Sequence, residues 1–459
     1  MTIRSEEAPE AVPPGDASPR ASLRSLLADP RSWALIETAL IALGLAALLE
    51  LLTYQFHGDG QDRYTELIQL IDFHRLSPGK YSLIGPIFAV PLYRLGRLFG
   101  SDADWALHYD WALFAIGIVG AWFALRNRMD RKLLRTFFLL LIAASMFPFH
   151  LTSFYGEVFT VLGVGLGLLF DECGLRRTGW ILIILGAANT PATLPALALV
   201  VGKRIVELRS LRPVLVFVAA VALTGAENWL RRGGPLNGGY GQDPGFTTPI
   251  LLGLLAILFS FGKGLIFYLP GAFLPVRRVL LEGSVKRGRE LYAAHTSWLL
   301  FGAGLVVIYA PWWAWYGGWY WGPRFFLILS LPAAFALAVR LRHPSASIKS
   351  NLLTFFVLAL SVWIDIDGAV FGQQTLSPIC QANNYAHEFY CHYLPQYSAL
   401  WRPFFVAEPL SHRNELYIAY AVLVFLYLAI PLARVIVRQI GESSPWHSAV
   451  AGLHRGFSL

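Results

Sequence analysis

The stretch TFFLLLIAASMFPF, residues 136–149, contains no charged side chain and no regular alternation of polar and apolar residues. A strand of a membrane β-barrel alternates between lipid-facing and lumen-facing residues, so this stretch favours a helix. Apolar runs of about 16 to 24 residues recur along the chain, and a helix needs about this length to cross the hydrocarbon layer of a membrane. We therefore expect an all-α polytopic membrane protein.

The composition points the same way. Of 459 residues, 56% are hydrophobic and 14% are charged, whereas a soluble domain has about 45–50% apolar and about 25% charged residues. The net charge of +8 comes from basic residues spread through short loops, which is typical of membrane topology rather than of a nucleic-acid site. The lipid bilayer is thus an expected partner, and nucleic acid is not.

The apolar runs predict twelve membrane spans. Most of the 37 lysine and arginine residues fall in segments that face one side when both termini are cytoplasmic, as the positive-inside rule requires of a cell-membrane protein. The spans are predicted at 33–54, 104–125, 136–151, 156–172, 179–188, 191–202, 213–230, 264–276, 294–312, 325–339, 351–366 and 415–433.

This topology divides the chain into a membrane domain and two tails. The first tail, 1–32, is rich in Pro, Ala and Ser, and we expect it to be disordered and cytoplasmic. The membrane domain covers 33–436, and a second cytoplasmic tail covers 437–459. Within the domain, 55–103 form the first extracytoplasmic loop and 367–413 form a second one, here called the cap loop.

The first extracytoplasmic loop contains an acidic turn followed by an amphipathic stretch. Asp59 lies between Gly58 and Gly60, which allow close approach of the backbone to a ligand. An ordinary turn is the alternative, with Asp62 capping an interfacial helix that starts near Arg63. The stretch 83–99 is interrupted by prolines and arginines, and we expect it to lie along the outer surface.

Three motifs carry a resemblance to a known family. They are GDGQDRY (58–64) with SPGKYSLIGP (77–86), then SFGKGLIFYLP (260–270), and finally WYGGWYWGPRFF (315–326). In this order, and in topology over most of 33–340, the chain resembles the GT-C superfamily of polytopic membrane glycosyltransferases, of the protein mannosyltransferase and aminoarabinose transferase type. The resemblance implies sugar transfer from a polyprenyl-phosphate donor to a lipid, glycan or protein acceptor, with inversion at the anomeric carbon.

The resemblance also implies roles for individual residues. A carboxylate of the first loop acts as general base; Asp59 matches that position best, and Asp62 is the alternative. Lys80, Lys263 and Arg324 lie in the matching motifs and are expected to contact the donor phosphate. A divalent cation is compatible with this chemistry, but no residue requires one. The expected substrate-binding residues are Arg63, Tyr64, Glu157, Trp319 and Tyr320.

The cap loop contains two of the three cysteines. An oxidising exterior favours a disulfide between Cys380 and Cys391. Metal binding is the alternative, because His387 and His392 complete the pattern C-x6-H-x3-C-H, although this spacing fits no standard zinc site.

Two other functions stay open. A transporter or lipid flippase predicts charged residues near the bilayer midplane and internal repeats, whereas the acids here gather in the outer loops. A non-catalytic assembly factor would keep the fold after losing its base, yet Asp59, both lysines and Arg324 are present.

Overall fold

The protein is described here by a computed structural model in which helices account for 73% of the structure. The described residues, which contain no strand, are 30–241, 243–283, 285–318, 320–372 and 377–443. The all-α prediction is thereby confirmed. The predicted tails lie outside the described residues except for 30–32 and 437–443, which are helical.

The helices of the first half are α1 (Pro30–Glu50), α2 (Asp59–Phe73), α3 (Val90–Leu98), α4 (Asp102–Leu107), α5 (Tyr109–Leu125), α6 (Arg131–Ala143), α7 (Phe147–His150), α8 (Gly156–Glu172), α9 (Arg176–Asn189), α10 (Leu194–Leu208) and α11 (Val214–Arg232). The second half contains α12 (Ile250–Phe259), α13 (Leu265–Tyr268), α14 (Arg277–Glu282), α15 (Gly288–Tyr309), α16 (Ser330–Arg342), α17 (Ile348–Ile366), α18 (Pro378–Tyr385), α19 (Phe389–Tyr393) and α20 (His412–Ser443). A 3-10 helix, Arg324–Leu329, leads directly into α16.

Within the described chain, six helices are long and apolar enough to cross a membrane, judged by length and composition. Each coincides with one of the predicted spans, in agreement with a membrane protein. Of the other six predicted spans, the one at 264–276 is interrupted, and the rest stay predictions. The six helices are Ser32–Glu50, Val214–Arg232, Gly288–Tyr309, Arg324–Arg342, Ile348–Phe371 and His412–Glu442.

The predicted span at 264–276 is not a single helix. α13 ends at Tyr268, and a 3-10 helix, Pro270–Phe273, follows it. Proline lacks an N–H group and its ring disfavours helical geometry in the preceding residue, and Leu269 is indeed non-helical, with φ −137° and ψ 46°. The apolar helix of this region is α12, which precedes the motif instead of following it.

The centre of the molecule is built around α6. The carboxylate of Asp130 accepts a hydrogen bond of 2.8 Å from the backbone N–H of Leu133 and caps this helix. From Leu133 to Ala143 every residue is buried, Arg135 and Thr136 included, and from Phe137 onward the helix is apolar on all sides, as expected of a buried helix. α6 packs against α1 and α16. The ends of α1 and α16 are thereby fixed relative to one another.

The first loop folds back on the helices through a second, smaller hydrophobic cluster. Tyr64 and Leu67 of α2 pack there with Tyr93 of α3, Tyr109 and Phe154. α2 begins at Asp59 rather than near Arg63, so the predicted capping role of Asp62 is wrong. Both acids lie in the first turn of α2, where the positive end of the helix dipole favours carboxylates.

Candidate functional site

The Gly-Asp-Gly turn brings the start of α2 against two distant segments. Gly58 has φ 51°, and a Cβ atom there would lie 1.5 Å from the hydroxyl oxygen of Tyr320. A Cβ atom on Gly60 would lie 2.5 Å from the carbonyl oxygen of Ser153. Glycine is needed at 58 for its left-handed conformation and at both positions for close packing. Asp59 is consequently held between the loop that carries Tyr320, here called the Tyr320 loop, and the segment that precedes α8.

Arg324 joins these segments electrostatically. Its Nη2 lies 2.6 Å from Oδ2 of Asp59, and its Nε lies 3.7 Å from Oε1 of Glu157. Arg324 is only 6% exposed. Because burial strengthens charge interactions and penalises an isolated charge, the guanidinium stabilises both carboxylates and is stabilised by them.

Three tyrosine rings complete the surroundings of this ion pair. The guanidinium of Arg324 lies 4.8 Å from the ring centre of Tyr320 and 5.3 Å from that of Tyr155, within the range of cation–π attraction. The hydroxyl of Tyr320 is hydrogen-bonded to the backbone of Asp59. The Tyr81 hydroxyl donates a hydrogen bond to the Asp59 carboxylate.

These contacts set the protonation of Asp59. Burial by itself would raise the pKa of Asp59, but the charge of Arg324 and the hydrogen bond from Tyr81 outweigh it and hold the pKa below its usual range. The same carboxylate, together with burial, raises the pKa of Tyr81. Asp59 is therefore ionised and Tyr81 is neutral at neutral pH.

Two buried arginines retain unused donors. Among the described residues, Nε and Nη1 of Arg324 and Nε of Arg63 have no hydrogen-bond partner. Buried polar groups of this kind are almost always satisfied in native proteins. A planar guanidinium with free N–H groups suits the oxygens of a phosphate or carboxylate. The site therefore has the chemistry of an anion acceptor next to a carboxylate.

Arg63 reaches the site from the second turn of α2. It is 7% exposed, and its Nη1 donates a hydrogen bond of 3.2 Å to the carbonyl oxygen of Ser82. Its guanidinium lies 4.9 Å from the ring centre of Tyr81 and packs against Gly156, where a Cβ atom would lie 2.7 Å from it. The predicted substrate-binding residue Arg63 thus lies beside the segment that carries Glu157.

Lys263 is buried among backbone carbonyl groups. It is 4% exposed, and its ammonium group donates hydrogen bonds to the carbonyl oxygens of Gly318 at 3.3 Å, Gly322 at 3.0 Å and Tyr320. An ammonium group has three donors, so all of them are used. These contacts hold the loop that carries Tyr320, and the expected contact of Lys263 with a donor phosphate stays a prediction.

Lys80 lies at the edge of the site. Its side chain is 36% exposed and its Nζ is 3.5 Å from Oδ2 of Asp243. The ammonium group also lies 5.6 Å from the ring centres of Tyr81 and Tyr240. This position leaves donors of Lys80 available at the mouth of the site.

Two acidic side chains and two arginines fix the loop that carries Lys80 and Tyr81. Arg231 of α11 makes ion pairs of 2.6 Å with Glu66 and 2.8 Å with Glu227. Its Nε donates to the carbonyl oxygen of Ser77 at 2.8 Å, and Glu227 accepts from the hydroxyl of Ser82 at 2.6 Å. Arg232 donates to the carbonyl oxygen of Gly79. The loop is thus held mainly through its backbone.

The other predicted site residues differ in their exposure and in their contacts. Asp62 is exposed and makes no side-chain hydrogen bond or ion pair with a described residue, so the structure distinguishes it from Asp59. Tyr64 is 7% exposed and stacks on Phe56 with ring centres 4.1 Å apart; it packs in the smaller hydrophobic cluster, and its predicted substrate contact stays a prediction. Trp319 lies outside the described residues.

Sequence reasoning missed Tyr81 and Tyr155 as members of the site. Both are adjacent to residues that were singled out, since Tyr81 follows Lys80 and Tyr155 precedes the Gly156–Glu157 pair. Aromatic residues are common near membrane interfaces, so sequence alone cannot distinguish these two tyrosines from an aromatic belt.

The cap loop rests on the motif that contains Lys263. Cys380 and Cys391 form a disulfide with Cα atoms 6.1 Å apart, so neither sulfur is a thiolate available to a metal. The backbone N–H of Gly262 donates to the carbonyl oxygen of His392 at 2.9 Å, and a Cβ atom on Gly262 would lie 2.0 Å from the carbonyl oxygen of Cys391. The disulfide therefore positions the cap on the neighbour of Lys263.

The cap also places an acid near Lys263. Burial raises the pKa of Glu388 to about 7, although the hydrogen bond from Tyr316 and the charge of Lys263 oppose this rise. The hydroxyl of Tyr316 lies 3.4 Å from Oε1 of Glu388. The cap thus contributes a carboxyl group that changes charge near neutral pH.

The chain matches no protein-family model, no curated protein and no solved structure.

Proposed function

We propose that the protein is a membrane-bound glycosyltransferase that transfers a sugar from a polyprenyl-phosphate carrier to a lipid, glycan or protein acceptor on the extracytoplasmic face. One observation carries this proposal. Arg324 is buried and lies 2.6 Å from Asp59, while two of its nitrogens have no hydrogen-bond partner among the described residues. A general base next to an anion acceptor is what transfer from a phosphate leaving group requires.

In the proposed reaction Asp59 accepts the proton of the acceptor hydroxyl. The oxygen of that hydroxyl forms a bond to the anomeric carbon on the face opposite the carrier. The bond from this carbon to the phosphate oxygen breaks, and its electron pair leaves with the lipid phosphate. The lowered pKa of Asp59 keeps the carboxylate ionised, and the anomeric configuration is inverted.

Arg324 connects donor binding to activation of the base. Without a donor its Nη2 is bonded to Asp59, which weakens the carboxylate as a proton acceptor. A donor phosphate competes for the guanidinium, and its charge raises the basicity of Asp59. Arg63 and Lys80 supply further positive charge for the phosphate, and Glu157 balances the charge of Arg324 when Asp59 is protonated.

A transporter remains the second candidate because two acids are buried in the candidate span Ile348–Phe371. Asp365 and Asp367 are both 0% exposed, and buried acids in a membrane helix are typical of ion pathways. However, Asp365 accepts a hydrogen bond of 3.0 Å from Tyr417, and Asp367 accepts one of 2.5 Å from Trp321. These bonds give both acids a structural role, so transport is placed second.

The test is turnover of a polyprenyl-phosphate sugar by the full-length protein in proteoliposomes, with a membrane extract as acceptor source. Asp59→Asn keeps the shape of the side chain and removes its basicity, and should lower turnover by about 100-fold or more. Asp62→Asn, in the same turn of α2, is the matched control and should retain activity. Full activity in both variants overturns the proposal, and substrate flux without covalent change supports transport.

A further inference from the structure

A second cluster of charged residues lies at the opposite end of α1 from Asp59. It lines a cleft of about 270 Å³ between α1, α6, α16 and α20. Glu37 lies 13 residues before the end of α1, which corresponds to about 20 Å along a helix. The cleft is therefore separate from the candidate site. Its polar and aromatic lining includes Trp33, Glu37, Lys132, Arg135, Arg342 and Tyr427.

Buried ion pairs give the cleft a fixed frame. Glu37 is 1% exposed; it accepts a hydrogen bond of 2.5 Å from Nε of Arg135 and another from Nη2 of Arg342. The Tyr427 hydroxyl donates to the same carboxylate at 2.9 Å, and Nε of Arg342 donates to the hydroxyl of Thr136 at 2.5 Å. Four helices are joined through one carboxylate.

The charges of the cleft do not balance. One carboxylate faces two guanidinium groups and the ammonium group of Lys132, so the lining carries an excess of positive charge. Among the described residues, Arg135 donates hydrogen bonds only through Nε, and Lys132 makes no ion pair. The terminal nitrogens of Arg135 and the ammonium of Lys132 thus remain for an anion. A planar guanidinium beside an ammonium group suits a phosphate.

Aromatic residues at the rim place this cleft near a membrane surface. Trp33 is 39% exposed, and its ring centre lies 6.0 Å from that of Tyr427. Tryptophan and tyrosine side chains favour the level of lipid head groups. Both residues belong to helices that are long and apolar enough to cross a membrane. A basic pocket between such helices at this level fits an anionic lipid head group.

We propose that this cleft binds the phosphate of an anionic membrane lipid. Lys132 and the terminal nitrogens of Arg135 contact the phosphate oxygens, and the Trp33–Tyr427 pair packs against the glycerol and upper acyl region. Glu37 keeps Arg135 and Arg342 in place when the lipid is absent. This binding site is independent of the proposed glycosyl transfer and requires no turnover to be detected.

The experiment measures lipid binding to the purified full-length protein in a non-ionic detergent, where no charged bilayer surface contributes. Phosphatidylglycerol, phosphatidylcholine and soluble glycerol 3-phosphate are titrated, and bound lipid is counted by native mass spectrometry. We expect wild type to retain phosphatidylglycerol more tightly than phosphatidylcholine. Lys132→Gln should weaken retention of phosphatidylglycerol about tenfold, as expected for loss of one hydrogen bond to a charged group.

Arg131→Gln is the matched control, because it removes one positive charge from the adjacent residue. Arg131 donates instead to the carbonyl oxygen of Arg126 at 3.1 Å and to Asn127 at 3.2 Å, away from the cleft. It should bind phosphatidylglycerol like wild type, and both variants should melt at the wild-type temperature. Equal weakening in both variants, no weakening in either, or equal affinity for both lipids overturns the proposal. Equal affinity for glycerol 3-phosphate assigns the cleft to a soluble phosphate and overturns the lipid assignment.

Discussion

Arg324 and Asp59 are 265 positions apart in the chain, and their side chains meet at 2.6 Å. This distance places the turn that follows α1 beside the 3-10 helix that precedes α16. An ion pair that bridges such distant elements couples the position of the first loop to the packing of the central helices. Changes to either partner should therefore affect both stability and the proposed chemistry.

The first prediction concerns the shape of the guanidinium group. Arg324→Lys keeps the positive charge but replaces a planar fork of donors with a single ammonium group. We expect KM for a polyprenyl-phosphate sugar to rise and turnover to fall about tenfold or more, as for loss of one charge-assisted hydrogen bond. Steady-state kinetics in proteoliposomes measure both. Arg278→Lys is the control, since the Arg278 side chain is 90% exposed, and wild-type kinetics in Arg324→Lys would contradict the phosphate role.

The second prediction separates a structural lysine from a ligand-binding one. Lys263→Met leaves three carbonyl oxygens of the Tyr320 loop without their donor, which should lower the free energy of unfolding by about 3 kcal/mol. Lys80→Met, at a side chain that is 36% exposed, should cost less than about 1 kcal/mol. Thermal unfolding in detergent compares the two. Unchanged stability in Lys263→Met with a raised donor KM would support its predicted phosphate contact.

The third prediction follows from the lowered pKa of Asp59. A carboxyl group with a lower pKa in the folded than in the unfolded state binds fewer protons when folded. Its contribution to stability is therefore complete above its usual value of 3.8 and is lost as the pH falls through the lowered pKa. The stability difference between wild type and Asp59→Asn should stay constant from neutral pH to about pH 5 and shrink below about pH 4.

Unfolding of both proteins at a series of pH values measures this difference. Asp62→Asn is the control, because the exposed Asp62 has no ion pair with a described residue. A difference that grows as the pH falls from neutral to about pH 5 would mean that the pKa of Asp59 is raised in the folded protein, because protonation would then stabilise the folded state, contrary to this prediction.

The fourth prediction concerns the cap loop. The disulfide links residues separated by 11 positions, and closing a loop of this size in the unfolded chain is worth about 3 kcal/mol. The double variant Cys380→Ser/Cys391→Ser should unfold at a lower temperature and should no longer respond to reductant. Cys173→Ala, at the buried free cysteine, should keep the wild-type response to reductant. A double variant with wild-type stability would show that the cap docks without this bond.

The fold class follows from the sequence because it depends on the length and hydrophobicity of the apolar runs, which can be counted without tertiary information. Apolar runs favour a helix wherever the backbone has no water to bond to, and the first part of the run 136–149, as far as Ala143, is helical in α6. The break within 264–276 is harder to predict, because most residues of this stretch are apolar and a count of apolar residues gives little weight to one proline. Pro270 determines the local structure nevertheless, and the continuous apolar helix forms at α12 instead.

The site is only partly predictable for a related reason. Asp59 and Asp62 are chemically identical and three residues apart, and only the position of Arg324 distinguishes them. Lys263 resembles a phosphate ligand in sequence because a lysine among glycines is typical of such sites. Its carbonyl partners come from a loop more than 50 positions away. Because every residue has a backbone carbonyl group, the sequence does not indicate which of them bind Lys263. The burial of Tyr64 could not be predicted either, because the direction of a side chain on α2 depends on what packs beneath it.

The manner in which Arg231 and Arg232 hold the first loop has an evolutionary consequence. Both arginines donate hydrogen bonds to residues 77–81 chiefly at main-chain carbonyl oxygens, which every amino acid possesses. Substitutions in that segment can therefore accumulate without loss of these hydrogen bonds, provided that both arginines are retained. Divergent descendants of this protein should then preserve the backbone path of the loop while its amino-acid sequence changes. A search for them should give the arginine pair more weight than the sequence of the loop.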